Sequence, residues 1–354
     1  TATPEIYTRS LHDALPIWAL VMQARQVVLD PFMLSANELH LAATLAATLG
    51  RPVPVLGADP DRLDLANLKH LARTKAVELG VPVAPGEIVE LSDRRETASL
   101  RKALHRQLGP TGRAIVRGTR GAAGSATFVV ENQPDRIETA VRQIAERTDN
   151  TVYLVEVMLE ALVSPNVLVH IDPARGRMRC VGVSDQRLDR GLAHFGNLHP
   201  TVATTAPAMI ASSFRLAAWL QGTGASGFAG FDFVEYRDRR TGHCEHVLAE
   251  INARTNGAAY PMTALHRLNA VRARMGQPAL GAFLSVGDLH TGLGSFASLR
   301  HRCGGLLFDP VTGRGVLPYN TASLRQGRLR AMALGATRAE VEELVSVFRA
   351  EIAA

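Results

Sequence analysis

Between residues 230 and 254 the chain reads Gly230-Phe231-Asp232-Phe233-Val234, then a polar turn through Arg237-Asp238-Arg239-Arg240, then Leu248-Ala249-Glu250-Ile251-Asn252-Ala253-Arg254. The pattern predicts two strands, over 230–236 and 246–251. Side chains alternate faces along a strand, so Glu250 and Asn252 point the same way. If the hairpin pairs symmetrically about Thr241, Asp232 lies directly opposite Glu250. Three oxygen-bearing side chains then share one face, while Phe231, Phe233 and Ile251 turn the other face toward a core. Hard oxygen donors of this kind suit Mg²⁺. Two carboxylates side by side on an apolar strand pair repel each other unless a cation sits between them. Spacing alone leaves open a solvated strand face on which Arg or Lys neutralises the acids.

Moving outward, Ser35-Ala36-Asn37-Glu38 is a capping box, followed by Leu39, Ala42, Leu45 and Leu49 at helical spacing and stopped by Gly50. Short apolar runs at 26–29 and 53–56 flank this helix, which predicts a β-α-β remnant of a Rossmann-like layer. Further helices are expected at 67–79, 136–146 and 208–220, and strands at 114–117, 126–130, 152–157, 167–171 and 178–183. A last helix begins at Thr337 with a second capping box, Thr337-Arg338-Ala339-Glu340. No internal repeat or low-complexity linker is visible.

Several other stretches carry candidate chemistry. Gly118 to Ser125 is glycine-rich, and the backbone N–H groups around Gly121, Gly124 and Ser125 could approach phosphate closely. It contains neither a Walker A sequence nor GxGxxG, and a plain hairpin turn is the alternative. Lys69 and Arg73 lie one turn apart on a helix and could meet phosphate or an acidic substrate; a solvated basic face is the alternative, and by themselves the two residues favour it. Glu156-Val157-Met158-Leu159 ends a strand and could offer its backbone to an adenine edge, with Met158 and Leu159 against the ring; simple core is the alternative. Ser184-Asp185-Gln186, His194, Gly196, Asn197 and His199 could line a substrate pocket, although no GxSxG elbow supports a serine hydrolase. His266 and His290 read as ordinary residues.

Bulk properties exclude several classes. With 354 residues and 46% apolar content the chain can build two or three packed units. The net charge of +6 fits an anionic small substrate as well as nucleic acid, but basic residues are dispersed and aromatics are only 5%, poor for base stacking. Nucleic acid is therefore not expected. Cys180, Cys244 and Cys303 form no CxxC, so neither a disulfide framework nor a zinc site is indicated, and a cytoplasmic location is expected. No apolar run reaches the ~18 residues of a membrane span. Residues 1–17 lack periodicity; the string from Tyr7 to Ile17 resembles translated sequencing-adapter sequence and is set aside as a non-native or disordered tail.

In their order along the chain these features resemble the ATP-grasp superfamily. The most specific piece is the Asp232…Glu250-Ile251-Asn252-Ala253-Arg254 pair of strands. Lys69 through Gly80-Val81-Pro82-Val83-Ala84-Pro85-Gly86 looks like the family's nucleotide-lysine helix and turn. Asp30-Pro31-Phe32, Glu38-Leu39-His40-Leu41-Ala42, Leu56-Gly57-Ala58-Asp59-Pro60, Ser164-Pro165-Asn166-Val167, Ser184-Asp185-Gln186 and Gly304-Gly305-Leu306-Leu307-Phe308-Asp309 resemble, more narrowly, pheganomycin-type peptide ligases with a pre-ATP-grasp domain.

The resemblance implies an α/β (α+β) chain in which two α+β subdomains grip ATP. It implies a truncated Rossmann-like pre-ATP-grasp remnant over 18–66, an N-terminal subdomain over 67–150, a catalytic subdomain over 151–300 and a C-terminal α/β extension over 301–354. By the same resemblance the cofactors are ATP and Mg²⁺. Lys69 contacts phosphates, and Arg117 stands at a second phosphate-binding position usually held by lysine, keeping the charge but offering a planar fork. The stretch Glu156 to Leu159 binds adenine. Asp232, Glu250 and Asn252 hold the metal, and Arg254 steadies the transferred phosphoryl group. The expected activity is carboxylate–amine (peptide) ligation through an acyl phosphate, with small-molecule or peptide carboxylate and amine substrates and a homo-oligomer as an open possibility. A carboxylate–thiol ligase and a non-catalytic ATP-binding module are the alternatives. No ribose-binding acid is evident after Glu160, and Asn256-Gly257-Ala258-Ala259 lacks the threonines expected near an acceptor pocket.

Overall fold

The computed structural model describes residues 20–57, 59–91, 93, 97–120, 126–189 and 192–353. The helix α1 (Ala36–Leu49) starts at the anticipated capping box: the Ser35 side chain and the Glu38 carboxylate each satisfy an end N–H, and Gly50 closes the helix at φ 62°. The flanking apolar runs meet in a single parallel bridge, Leu29 with Val55, so the β-α-β unit exists in minimal form. It docks on the rest of the chain through Ser226, whose N–H donates to the Gly57 carbonyl at 3.1 Å.

The helix expected over 67–79 is two: α2 (Pro60–Asn67) and α3 (Lys69–Glu78), broken at the extended Leu68. A four-stranded antiparallel sheet follows. It is built from β1 (Gly86–Glu90), β2 (Arg113–Gly118), β3 (Thr127–Glu131) and β4 (Val152–Val157), in the order β1-β4-β2-β3. Two amphipathic helices, α4 (Ala98–Leu108) and α5 (Pro134–Glu146), cover one face. Leu100, Leu104, Val116, Ile137, Val141, Ile144 and Tyr153 form their shared core. This sheet runs on to Val157, past the domain boundary expected at 150.

The second sheet has nine antiparallel strands. They are β5 (Ala161–Val163), β6 (Pro165–Asp172), β7 (Arg177–Leu188), β8 (His194–His199), β9 (Gly227–Arg237), β10 (Cys244–Asn252), β11 (Ala282–His290), β12 (Gly315–Tyr319) and β13 (Arg328–Gly335). The main order is β10-β9-β6-β7-β8-β11-β13-β12, with β5 paired to β9. The helix α6 (Ala206–Gly222) packs on one face through Met209, Leu216 and Leu220, against Val167, Val169, Phe231 and Phe233. On the opposite face α7 (Ala259–Arg274) brings Met262 and Leu265 against Leu168 and Phe283. Residues 301–354, expected as an extension, supply β12, β13 and α9 (Arg338–Ala353), which completes the core at that end with Val341, Leu344 and Phe348. A short helix, α8 (Phe296–Cys303), joins the same core through Leu299. At the start of α9 only half the expected capping box forms. Thr337 Oγ1 accepts from Glu340 N–H at 3.3 Å, but the Glu340 carboxylate turns to Ala336 N–H and Arg314. Among the described residues no helix is long and apolar enough to cross a membrane.

Candidate active site

The hairpin of β9 and β10 sets Glu250 opposite Asp232 and Asn252 opposite Gly230. The alternation of β9 buries Phe231 and Phe233 beneath the sheet and leaves Asp232 on the other side. Each oxygen of Asp232 accepts an amide hydrogen. Asn166 Nδ2 on β6 donates to Oδ1 at 2.6 Å, and Asn252 Nδ2 donates to Oδ2 at 2.9 Å. Burial pushes the Asp232 carboxyl up to about 7. The Glu250 charge pushes the same way, while the two amides and Arg254 oppose the rise. The buried Oδ1 of Asn166 has no hydrogen-bond partner.

Across from these strands, Lys69 at the first position of α3 is buried and forms an ion pair with Glu250, Nζ to Oε1 3.1 Å. Arg73, one turn on, does not join it at the carboxylates. It pairs instead with Glu156 on β4 at 2.6 Å. Arg117 on β2 meets the same Glu156, with Nε to Oε2 at 3.0 Å, and its Nη1 donates to the Ala249 carbonyl at 2.7 Å. Glu156 is thus an almost fully buried acid held between two guanidinium groups, and its side chain is committed to them. A glycine lets it pass. A Cβ on Gly86, its partner on β1, would lie 2.6 Å from both Glu156 Cγ and the Val155 carbonyl oxygen.

Arg254 follows β10 and is held from two sides. Asn67 Oδ1 accepts from Ala253 N–H at 3.2 Å and from Arg254 Nη1 at 3.4 Å. The Phe32 ring lies 5.9 Å from the guanidinium carbon. Met158 and Leu159 are half-buried at the end of β4, with Met158 N–H donating to the Arg113 carbonyl at 3.1 Å. Gly121, Gly124 and Ser125 lie outside the described residues. Lys69, Arg73, Arg117, Glu156, Ala249 and Glu250 therefore line one cleft between the two sheets, with an enclosed cavity of about 10 Å³, room for about one water. A wider depression of about 550 Å³ lies elsewhere, on β3 and α5 beside Phe128, Glu131 and Arg136.

The polar residues after β6 form a different arrangement from a catalytic triad. Ser184 is buried with its Oγ unpartnered. Asp185 accepts from Thr201 Oγ1 at 2.5 Å and from Arg338 Nη1 at 2.6 Å, which ties the start of α9 to β7. His199 contacts the Val183 carbonyl through Nδ1 at 2.8 Å, and His266 contacts the Val181 carbonyl. His194 meets Asn197 Nδ2 through Nε2 at 3.0 Å, and burial holds its imidazole below the usual value. Three contacts at the site carried no signal in the sequence: Asn166 with Asp232, Asn67 with Arg254, and Glu156 with Arg73 each join segments far apart in the chain.

Among the described residues no group of three or more His, Cys, Asp or Glu converges. The donor set at the hairpin is two carboxylates and an amide, which is too little to enclose a metal but matches Mg²⁺ held jointly with substrate phosphates. Burial first and the Glu250 charge second oppose ionisation of Asp232, and a cation against the facing pair of carboxylates would relieve both, so the residues fit the metal.

No family model matches the chain, and no curated protein matches it. Solved structures do. Biotin carboxylase from Campylobacter jejuni, in complex with β,γ-ATP, superposes with a TM-score of 0.63 at 16% identity, covering 96% of this chain and 77% of that one. An N5-carboxyaminoimidazole ribonucleotide synthetase in complex with ADP gives 0.60 at 16% identity, over 86% and 76% of the two chains. The biotin carboxylase domain of the Hydrogenobacter thermophilus 2-oxoglutarate carboxylase, crystallised with MgADP and bicarbonate, gives 0.60 at 14% identity over 94% and 76%. These neighbours have the ATP-grasp architecture, and this chain has the ATP-grasp fold, as the paired strands and the lysine helix implied.

Proposed function

We propose that this protein is an ATP- and Mg²⁺-dependent ligase that joins a carboxylate to an amine, with peptide-type substrates as the class most consistent with the narrower resemblance of its motifs. The observation that carries this reading is the convergence of Asp232, Glu250 and Asn252 on one face of a hairpin, with Lys69 against Glu250 and Arg254 at the strand's end. A neighbour that holds MgADP and bicarbonate on the same fold supports it.

Asp232, Glu250 and Asn252 would hold Mg²⁺, which when bound neutralises charge on the phosphates during transfer. In the absence of nucleotide Lys69 neutralises Glu250. With phosphates in the cleft the Lys69 ammonium would turn to them, leaving the Glu250 carboxylate available as a ligand. Arg254, braced by Asn67 and Phe32, is placed to meet the transferred phosphoryl group. The substrate carboxylate attacks the γ-phosphorus, the bond to the β–γ bridging oxygen breaks, and ADP departs. The amine nitrogen then attacks the acyl carbon, gives up a proton, and inorganic phosphate leaves. The residues chiefly position and neutralise.

The test is trapping with hydroxylamine. The protein, ATP, Mg²⁺ and a panel of amino acids and short peptides should give ADP and a hydroxamate that depends on the carboxylate. ADP release that responds to thiols and not amines would favour thioester formation. Nucleotide binding with no ADP release from any pair of substrates would leave a binding module and sink the ligase reading.

A further inference from the structure

Resting on the metal assignment above, we infer that Arg117 is a positioning residue for the metal carboxylates, acting by pinning the β-bulge at Ala249. From Cys244↔Arg237 to Leu248↔Phe233 the hairpin keeps one register, and then it slips by one residue, so that Glu250 pairs with Asp232. Without the slip Ala249 would face Asp232, and Glu250 would face Phe231, on the core side with Leu248 and Phe233. The extra residue moves Glu250 to the cleft side and returns Ile251 to the core opposite Phe231. The metal site therefore exists because Ala249 bulges.

Arg117 is the side chain that holds this bulge from across the cleft, with Nη1 donating to the Ala249 carbonyl at 2.7 Å. Its orientation is fixed by Glu156, which accepts from both Nε and Nη2, and Glu156 is fixed in turn by Arg73 from the helix that carries Lys69. Three of the five guanidinium N–H donors are thus directed at protein atoms. A planar fork can grip a carboxylate along one edge and a carbonyl with another corner at the same time. A lysine ammonium at this position has one nitrogen and cannot span both. The chain Arg73–Glu156–Arg117–Ala249 connects α3, the four-stranded sheet and β10, so the geometry of the carboxylates is read out from the other side of the cleft.

The experiment compares wild type, Arg117→Lys and Arg117→Ala for binding of Mn²⁺, by electron paramagnetic resonance, and of a non-hydrolysable ATP analogue, by calorimetry with and without the metal. Arg117→Lys keeps a cation beside buried Glu156, so this variant decides the matter if Arg117→Ala does not fold. Arg117→Lys should weaken Mn²⁺ binding to the analogue complex about tenfold or more, and should weaken metal-free analogue binding by much less than that. It is overturned if Arg117→Lys binds metal as wild type does, or if metal-free analogue binding falls as much as metal binding, which would make Arg117 a phosphate ligand. Wild type that binds neither probe removes the metal assignment itself and this inference with it. Wild type that binds both, unchanged in Arg117→Lys, removes this inference alone.

Discussion

Replacing Asp232 by asparagine should stabilise the metal-free protein at neutral and alkaline pH, although it removes a metal ligand. The Asp232 carboxyl titrates at about 7 in the fold against 3.8 for the free side chain, mainly because burial and then the Glu250 charge oppose ionisation. Between those values the folded protein keeps a proton that the unfolded chain has released. Stability from this group is therefore full below about pH 4 and is lost as pH rises through 7. About three pK units correspond to roughly 4 kcal/mol at most. Asp232 keeps some exposure to the cleft, and asparagine must find partners among amides. Asn166, whose Oδ1 is unpartnered, can rotate to accept from the new side chain, limiting that cost to about 1 kcal/mol. The net expectation for Asp232→Asn in EDTA is a gain of roughly 2–3 kcal/mol at pH 8 and none at pH 4. Urea unfolding of both proteins across that range measures the difference, in which titrating groups that do not interact with Asp232 cancel. With saturating Mg-ATP the order should reverse, because only wild type gains ligand stabilisation. A wild-type protein more stable than the variant in EDTA at pH 8, or a difference flat with pH, would refute the reasoning.

Other outcomes follow from the same geometry. Glu156→Ala leaves Arg73 and Arg117 facing each other without their shared acid, and should cost about 3–5 kcal/mol in urea unfolding. Gly86→Ala forces a Cβ to 2.6 Å from Glu156 Cγ and the Val155 carbonyl; a melting temperature equal to wild type would show that β1 and β4 can separate there at no cost. Lys69→Met removes the partner of Glu250 and the expected phosphate contact, and should raise the KM for ATP at least about tenfold while far-ultraviolet circular dichroism stays the same. Asp185→Asn weakens the clamp between β7 and the start of α9, so it should lower stability by about 1–3 kcal/mol in urea unfolding.

The decisive hairpin was legible because its two strands are close in the chain and alternate regularly. Symmetry about Thr241 placed Asp232 against Glu250, and that pair is observed. The agreement conceals a compensation. The turn itself is centred half a residue earlier, and only the bulge at Ala249, which no residue pattern announced, restores the pairing. Capping chemistry was equally readable at Ser35, where every partner is within three residues. At Thr337 the local box lost Glu340 to Arg314 and Ala336 N–H, a competition settled by tertiary contact. Strands β11, β12 and β13 went unread because their partners are distant and their sequences mix Ser, Gly, Pro and Arg with the apolar residues. For the same reason the ion pairs of Glu156 were not legible. Its burial between Arg73 and Arg117 follows from α3 and β2 packing around β4, contacts that span 83 and 39 residues.

The measurement that bears most directly on the central claim is calorimetry of ATP binding with and without Mg²⁺, on wild type and Glu250→Ala. Wild type should bind ATP tightly only with Mg²⁺, and Glu250→Ala should lose most of this metal-dependent gain while remaining folded. Equal ATP affinity with and without Mg²⁺ in wild type, or an undiminished Mg²⁺ effect in Glu250→Ala, would contradict it.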